Sequence, residues 1–188
     1  MANGNLILGI DPGTNIMGYC ILRFKNSNYK IISIGSLKLN RLNSHLEKLN
    51  GIVEFMQKLL LEHKPDVLAI EEPFFGKNVQ SMLKLGRAQG VVMAIAMAQQ
   101  IPIVEITPRR VKQSVTGSGS ASKEQVASMV GVITGLDISL LDADSTDAAA
   151  IAISYTLQKN HATTSVKKVK PKNSWEAFLR DNPGKEVK

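Results

Sequence analysis

Leu6-Ile7-Leu8-Gly9-Ile10-Asp11-Pro12-Gly13 is an apolar run that ends on a carboxylate and a turn. A run of that length and composition makes a buried strand, and Pro-Gly stops it. Asp11 therefore stands where a buried strand meets solvent. Working outward, residues 17–24 read as a second strand, Asn26-Ser27-Asn28 turns the chain, and residues 29–37 alternate as a third. The short turns between them predict an antiparallel meander. Residues 43–63 carry Leu46, Leu49, Ile52, Val53, Met56, Leu59 and Leu60 at three- and four-residue spacing, an amphipathic helix that Pro65 ends. Val67-Leu68-Ala69-Ile70 is a continuous apolar strand of the buried kind, and it too ends on an acid, Glu71. Residues 79–99 read as a long, mostly buried helix, 101–106 as a fifth strand, and Pro108 opens a helix at its first turn. Residues 116–120 form a loop. Ser122, with Gln125 three residues on, then marks the capping box of another helix. A last helix covers residues 145–157. Strands and helices in this order make an α/β fold: a mixed sheet with helices on its faces.

The chain has 188 residues, which suits one domain with at most an appendage. Its 23 Lys and Arg against 16 Asp and Glu leave a net charge of +7. Residues 160–188 hold seven of those basic residues and three of the acidic ones, so that segment carries +4 and residues 1–159 carry +3. The division is thus a domain over 1–159 and a basic tail over 160–188 whose opening composition is that of a flexible, solvated arm. Trp175, Phe178 and Leu179 form a short amphipathic piece within it. The tail has two readings, a solubilising extension or an arm that contacts nucleic acid or a partner. The overall basic balance points to a polyanionic partner. A hydrophobic content of 44% excludes wholesale disorder. The longest apolar run, residues 91–98, falls far short of the roughly 20 needed to span a bilayer. No basic segment precedes the first apolar run, and Cys20 is the only cysteine, so an intramolecular disulfide is impossible. A cytoplasmic protein without membrane association is the expectation.

The informative feature is where the acids sit. Asp11 and Glu71 end apolar strands, and Asp144 and Asp147 are spaced i,i+3 at the start of the last helix, ahead of the apolar stretch 148–153. Hard divalent cations such as Mg²⁺ take oxygen ligands. A pair of them about 3.5–4 Å apart can activate a water and stabilise the leaving oxygen in phosphodiester hydrolysis. Plainer roles exist for each acid. Asp11 before Pro-Gly suits a turn, and Asp142, Asp144 or Ser145 suits a helix cap. Glu71 and Glu72 point to opposite faces of a strand, so at most one serves a given site. Spacing alone leaves the metal and structural readings open.

Other residues carry weaker signals. Phe74 and Phe75 stand ahead of Gly76-Lys77; Phe75 is expected to cap the core, and an exposed aromatic beside a phosphate-processing site can stack on unpaired bases. Arg109, Arg110 and Lys112 crowd one helix start, where the helix dipole repels cations, so a phosphate contact is expected there. Gly117-Ser118-Gly119-Ser120 reads either as a loop that contacts phosphate through backbone N–H groups or as a flexible link. Ser122, not Gly, precedes Lys123, so the loop is not a Walker A motif. His45, His63 and His161 are assigned no chemistry, and Cys20 reads as a small buried apolar side chain.

Taken in order, these motifs resemble the RuvC family of bacterial Holliday-junction resolvases. Ile7-Leu8-Gly9-Ile10-Asp11-Pro12-Gly13-Thr14 with Gly18-Tyr19 resembles its opening. Ala69-Ile70-Glu71 with Phe74, Lys77-Asn78 and Leu83-Lys84-Leu85-Gly86 resembles its second block. Val111-Lys112-Gln113, Gly117-Ser118-Gly119-Ser120-Ala121 and Lys123 resemble its third, and Asp144-Ser145-Thr146-Asp147-Ala148 its closing DxxDA motif. The matches span roughly residues 5–157. The resemblance implies an RNase H-like five-stranded mixed sheet, a homodimer, and metal-dependent cleavage of four-way DNA junctions. It implies Asp11, Glu71, Asp144 and Asp147 as catalytic and metal-binding acids, with Mg²⁺, two per site, as cofactor and Mn²⁺ as an alternative. Lys112 and Lys123 match basic positions near the junction and scissile phosphate, and Phe74 an aromatic at the junction centre. Lys77, Arg109 and Arg110 complete the expected DNA-contacting set. The family also implies work alongside the RuvA–RuvB branch-migration machinery. Glu72-Pro73 and Asp142 depart from the pattern, and residues beyond about 161 have no placed counterpart. A non-catalytic junction-binding scaffold of the same fold is the alternative, and the presence of all four acids argues against it. The actin and sugar-kinase class would need a second glycine-rich phosphate motif and a longer chain.

Overall fold

The computed structural model describes residues 4–73 and 78–161, with side chains through residue 158. Strands β1 (Asn5–Asp11), β2 (Ile16–Lys25) and β3 (Asn28–Lys38) form the expected antiparallel meander. Helix α1 (His45–His63) then crosses to β4 (Val67–Glu71), and α2 (Val79–Ala98) crosses to β5 (Ile103–Ile106). Three helices close the fold: α3 (Pro108–Thr116), α4 (Lys123–Thr134) and α5 (Ala143–His161). The sheet order is β3-β2-β1-β4-β5, with β1, β4 and β5 parallel. β1 is therefore central, antiparallel to one neighbour and parallel to the other.

Side-chain alternation along the strands divides the core in two. Leu8, Ile10, Leu68 and Ile70 face α1 and α2, where they pack with Ile52, Met56, Leu60 and Val92. Ile7, Val67 and Ala69 face the other way, against α3, α4 and α5. The parallel register pairs Ile7 with Val67 and Gly9 with Ala69. By the same parity Asp11 and Glu71 come next in line, at the carboxyl ends of adjacent parallel strands and on the α5 side. Open α/β sheets bind ligands at that edge.

Two glycines bring α5 down onto the sheet. A β-carbon on Gly9 would run into the Ala148 carbonyl oxygen, and one on Gly18 into the carbonyl of Asp144. Gly18 is the β2 partner of Asp11. The N-terminal turn of α5 thus passes over the Asp11–Gly18 pair, and Ala148, Ala149 and Ala152 keep the remaining contact close.

Two expectations need adjustment. The last helix starts at Ala143, because Asp142 supplies the cap: its carboxylate accepts the Ser145 N–H at 2.8 Å and also the Ser145 hydroxyl. Helix α2 is buried only at Ala88, Gln89, Val92 and Ala96, while Val79, Leu83 and Met97 are 64%, 52% and 59% exposed. Its apolar residues run around the whole helix, so periodicity alone could not mark which stripe stays uncovered.

Candidate active site

Asp11, Glu71 and Asp147 line one cavity of about 550 Å³, together with Lys112 of α3 and Lys123 of α4. Its apolar wall is Val111, Val126 and Ile151. Three elements supply the acids: the ends of β1 and β4, and the first turns of α5. Asp144, one turn before Asp147, acts on the same centre by its charge. The four acids and two lysines expected at one place therefore share one electrostatic environment.

The carboxylates are in conflict there. Burial first, and then the charges of Glu71, Asp147 and Asp144, raise the Asp11 carboxyl to about 8 against an opposing pull from Lys123. Glu71 is also raised, by burial first and then by Asp147, with Lys123 and Lys112 opposing. Partly buried like charges of this kind hold protons or gather cations. One cation is already present as a side chain: Lys123 Nζ bonds Asp147 Oδ2 at 2.7 Å, and that bond is the main cause of the lysine's own raised pKa. Among the described residues no three His, Cys, Asp or Glu side chains stand in the mutual geometry of a finished metal cage. One Asp147 oxygen is instead engaged by Lys123. The donor set is all oxygen and strongly anionic, which fits a hard divalent cation.

The neighbouring acids separate cleanly. Glu72 lies just past the end of β4, is exposed, and does not line the cavity. Asp142 is engaged as a cap, and its second oxygen accepts the Ser36 hydroxyl at 2.6 Å. Burial of Asp142 raises its pKa less than the Ser145 and Ser36 hydrogen bonds and Lys38 lower it. It is a charged structural group, not a fifth site acid.

Arg109 and Arg110 do not line the acid cavity. They border a second groove of about 660 Å³, with Gln113 and Ser114 on α3 and Leu157 and Gln158 on α5. The residues 117–120 loop is also not an open phosphate cradle. The Gly117 N–H donates to the Gln113 carbonyl, Ser118 to Thr116 Oγ1, Gly119 to Gln113 Oε1, and Ser120 to Ser118 Oγ. Every backbone donor of those four residues is taken. Phe74, Phe75 and Lys77 lie outside the described residues, as does the tail from residue 162.

One contributor escaped the sequence reading. Gln89 is 4% exposed on α2, and its Nε2 donates to the Glu71 carbonyl and to Glu105 Oε1, each at 3.2 Å. A lone polar residue inside an apolar helical run was the available signal. Cys20 is buried as expected, and burial pushes its thiol pKa up, away from reactivity.

Comparison with known proteins bears on the family and the fold. The family described as crossover junction endodeoxyribonuclease RuvC matches residues 7–155. A protein of that name from Cytophaga hutchinsonii is 47% identical over 180 residues, 96% of this chain and 87% of its own. The alignment therefore runs past residue 155 and into the tail, where the motifs alone placed no counterpart. Thermus thermophilus RuvC, solved in complex with a Holliday junction substrate, superposes with a TM-score of 0.78 at 28% identity, covering 84% of this chain and 96% of that one. The yeast mitochondrial Holliday junction resolvase shares the fold, with a TM-score of 0.64 at 14% identity over 85% of this chain and 81% of its own. The acids that converge at the carboxyl edge of an RNase H-like sheet thus stand in a chain that belongs to the RuvC family of crossover junction endodeoxyribonucleases.

Proposed function

We propose that this chain is a structure-selective endonuclease that resolves Holliday junctions by paired nicks in opposing strands, during DNA recombination and repair. The observation that carries the reading is the cavity where Asp11, Glu71 and Asp147 meet Lys112 and Lys123, with Asp144 acting on it. The family's members are metal-dependent nucleases. Asp11, Glu71, Asp144 and Asp147 would hold Mg²⁺, two ions per site, with Mn²⁺ able to replace it. Bound there, the metal would activate a water and offset the negative charge developing on the leaving oxygen. The chain's own residues do the rest. Asp11 gives up to solvent the proton that burial and its neighbours hold on it. Lys123 releases Asp147 and, with Lys112, turns toward the scissile phosphate, where both cations offset the developing negative charge. Arg109 and Arg110 grip the backbone of a junction arm from the second groove. Phe74 serves the junction centre, as the family pattern implies, and Lys77 contacts the DNA.

A near-twofold junction calls for a twofold enzyme, and the outer stripe of α2 supports a homodimer. Val79, Leu83 and Met97 are exposed along it, and a β-carbon on Gly86 or Gly90 would meet nothing within 4 Å. Small residues flanked by apolar ones allow a second helix to approach closely. Residues 1–159 form the nuclease domain, and the basic tail at 160–188 adds affinity for DNA. The enzyme works in the cytoplasm, where the RuvA–RuvB machinery delivers junctions. No described helix is long and apolar enough to cross a membrane.

The test uses a synthetic four-way junction, a linear duplex of the same sequence, and Mg²⁺. The parent is expected to nick opposing strands of the junction and spare the duplex. Asp11→Asn and Asp147→Asn should retain junction binding and lose nicking by at least about 10³-fold. Variants that cut as fast as the parent would overturn the mechanism. Salt-sensitive binding with no nicking under any divalent metal would favour the scaffold reading.

A further inference from the structure

Gln113 holds the loop between α3 and α4 by both atoms of its amide. Its Nε2 donates to the Gly117 carbonyl at 2.6 Å, and its Oε1 accepts the Gly119 N–H at 2.9 Å. Thr116 Oγ1 braces the same loop, accepting the Ser118 N–H at 3.1 Å and donating to the Lys112 carbonyl at 2.8 Å. Gly117 turns the chain at φ 80°, a conformation that favours glycine. Gly119 leaves room for Arg109, whose Cγ would stand 2.9 Å from a β-carbon there.

The loop leads directly to Lys123. Ser122 caps α4 and accepts the Gln125 N–H, while Gln125 Oε1 accepts the Ser122 N–H at 2.8 Å. Lys123 is the first residue of that helix, so its Cα is fixed by the capping box on one side and by the clamped loop on the other. Its side chain is 72% exposed, and one hydrogen bond to Asp147 is the contact that anchors it. A long exposed lysine has many rotamers, and its reach into the cavity depends on where its backbone starts. Lys112 enters the same cavity from the residue immediately before Gln113.

We infer that Gln113 is a positioning residue: by clamping Gly117 and Gly119 it sets the spacing of α3 and α4, and so holds Lys123 in register with Lys112 over the acids. Gln113 does not line the acid cavity, so its effect passes through the loop. The inference rests on the proposed role of Lys123 at the phosphate. Small misplacements of a catalytic group carry large rate effects, on the order of 10²-fold for 1 Å.

The experiment is a kinetic double-mutant cycle on the four-way junction, with Gln113→Met and Lys123→Met singly and together, joined to amide hydrogen exchange at Gly119. Methionine keeps the length of the side chain and removes both hydrogen bonds. Gln113→Met should lower kcat about 10- to 100-fold with junction Kd within about twofold of the parent. In the Lys123→Met background the same change should alter kcat by less than about twofold. Gly119 should lose protection at least about tenfold while Val126 and Val130 on α4 keep theirs. Gln113→Glu, which keeps the acceptor for Gly119, should restore part of the rate and of the protection. Unchanged Gly119 protection, equal kcat losses with and without Lys123, or a loss confined to Kd would each overturn the inference. The last would make Gln113, which borders the arginine groove, a DNA-contacting residue and not a positioning one. A Lys123→Met enzyme as fast as the parent would remove the role of Lys123 and this inference with it. Additive losses would overturn the inference alone.

Discussion

Two cavities flank α3, and they differ in kind more than in size. The arginine groove is the larger, about 660 Å³, and its charged lining groups are two arginines, with no carboxylate among them. Among the described residues neither Arg109 nor Arg110 has a carboxylate at ion-pair distance. The acid cavity is smaller, about 550 Å³, and it gathers carboxylates alongside two lysines, with Asp11 and Glu71 raised by burial and by the charge of neighbouring acids. Folding does not assemble such a cluster for stability, because partly buried like charges destabilise the chain that holds them. The difference teaches that electrostatic conflict, not volume, marks the place of chemistry here. One flank of α3 cuts, on this account, and the other holds.

The contrast can be broken first by pH. Asp11 keeps its proton up to about pH 8 without metal, so a divalent cation must displace it. At a fixed, sub-saturating Mg²⁺ concentration, nicking at pH 6 should be about 100-fold slower than at pH 8, and added Mg²⁺ should recover much of the loss. Nicking that is flat across that range would remove the conflict from the mechanism. Junction binding through the arginine groove should show no such dependence.

The groove is tested by charge removal. Arg109→Ala with Arg110→Ala should weaken junction binding about tenfold at physiological salt and reduce the salt slope by about two, with kcat at saturating junction unchanged. A loss of kcat with binding intact would move the arginines into the cutting machinery.

Stability gives a smaller signal with a definite sign. The folded Asp11 carboxyl is raised above its unfolded value, so between about pH 4 and pH 8 the folded chain binds a proton that the unfolded chain has released. Stability of the metal-free protein therefore falls as pH rises through that window, and Glu71 contributes in the same direction. Asp11→Asn should raise Tm by roughly 2–6 °C at pH 8 and change it little at pH 4, as read by thermal denaturation in a chelator. An Asp11→Asn variant less stable than the parent at pH 8 would contradict the conflict. Smallest of all, deletion of residues 162–188 should weaken junction binding a few-fold through lost counterion release and leave nicking at saturation intact. Complete loss of nicking would end the division between domain and tail.

Much of this was legible in the residues because buried strands announce their ends. Asp11 and Glu71 each close an apolar run, and parity along two strands is enough to put them on one face. The i,i+3 spacing of Asp144 and Asp147 and the Ser122–Gln125 box are local patterns; the box formed as read, and the last helix formed with its start two residues earlier. What escaped was set by contacts between segments distant in sequence. Gly9 and Gly18 look like ordinary strand residues until α5 lies on them. Gln89 meets the Glu71 carbonyl from 18 positions away. The loop at 117–120 had the composition of a phosphate cradle, and only the placement of Gln113 and Thr116 shows that its donors are taken. Arg109 and Arg110 sit within three residues of Lys112, yet the helical turn sends them to the opposite flank of α3.

The central claim is that Asp11, Glu71, Asp144 and Asp147 converge on a divalent cation. A crystal of this protein soaked in Mn²⁺ at pH 8, with anomalous scattering recorded at the manganese edge, tests it most directly. The account predicts anomalous density in the cavity bounded by these acids, within bonding distance of Asp11, with Lys123 Nζ released from Asp147. Density absent from that cavity, or bound without Asp11 while Lys123 stays on Asp147, would contradict it.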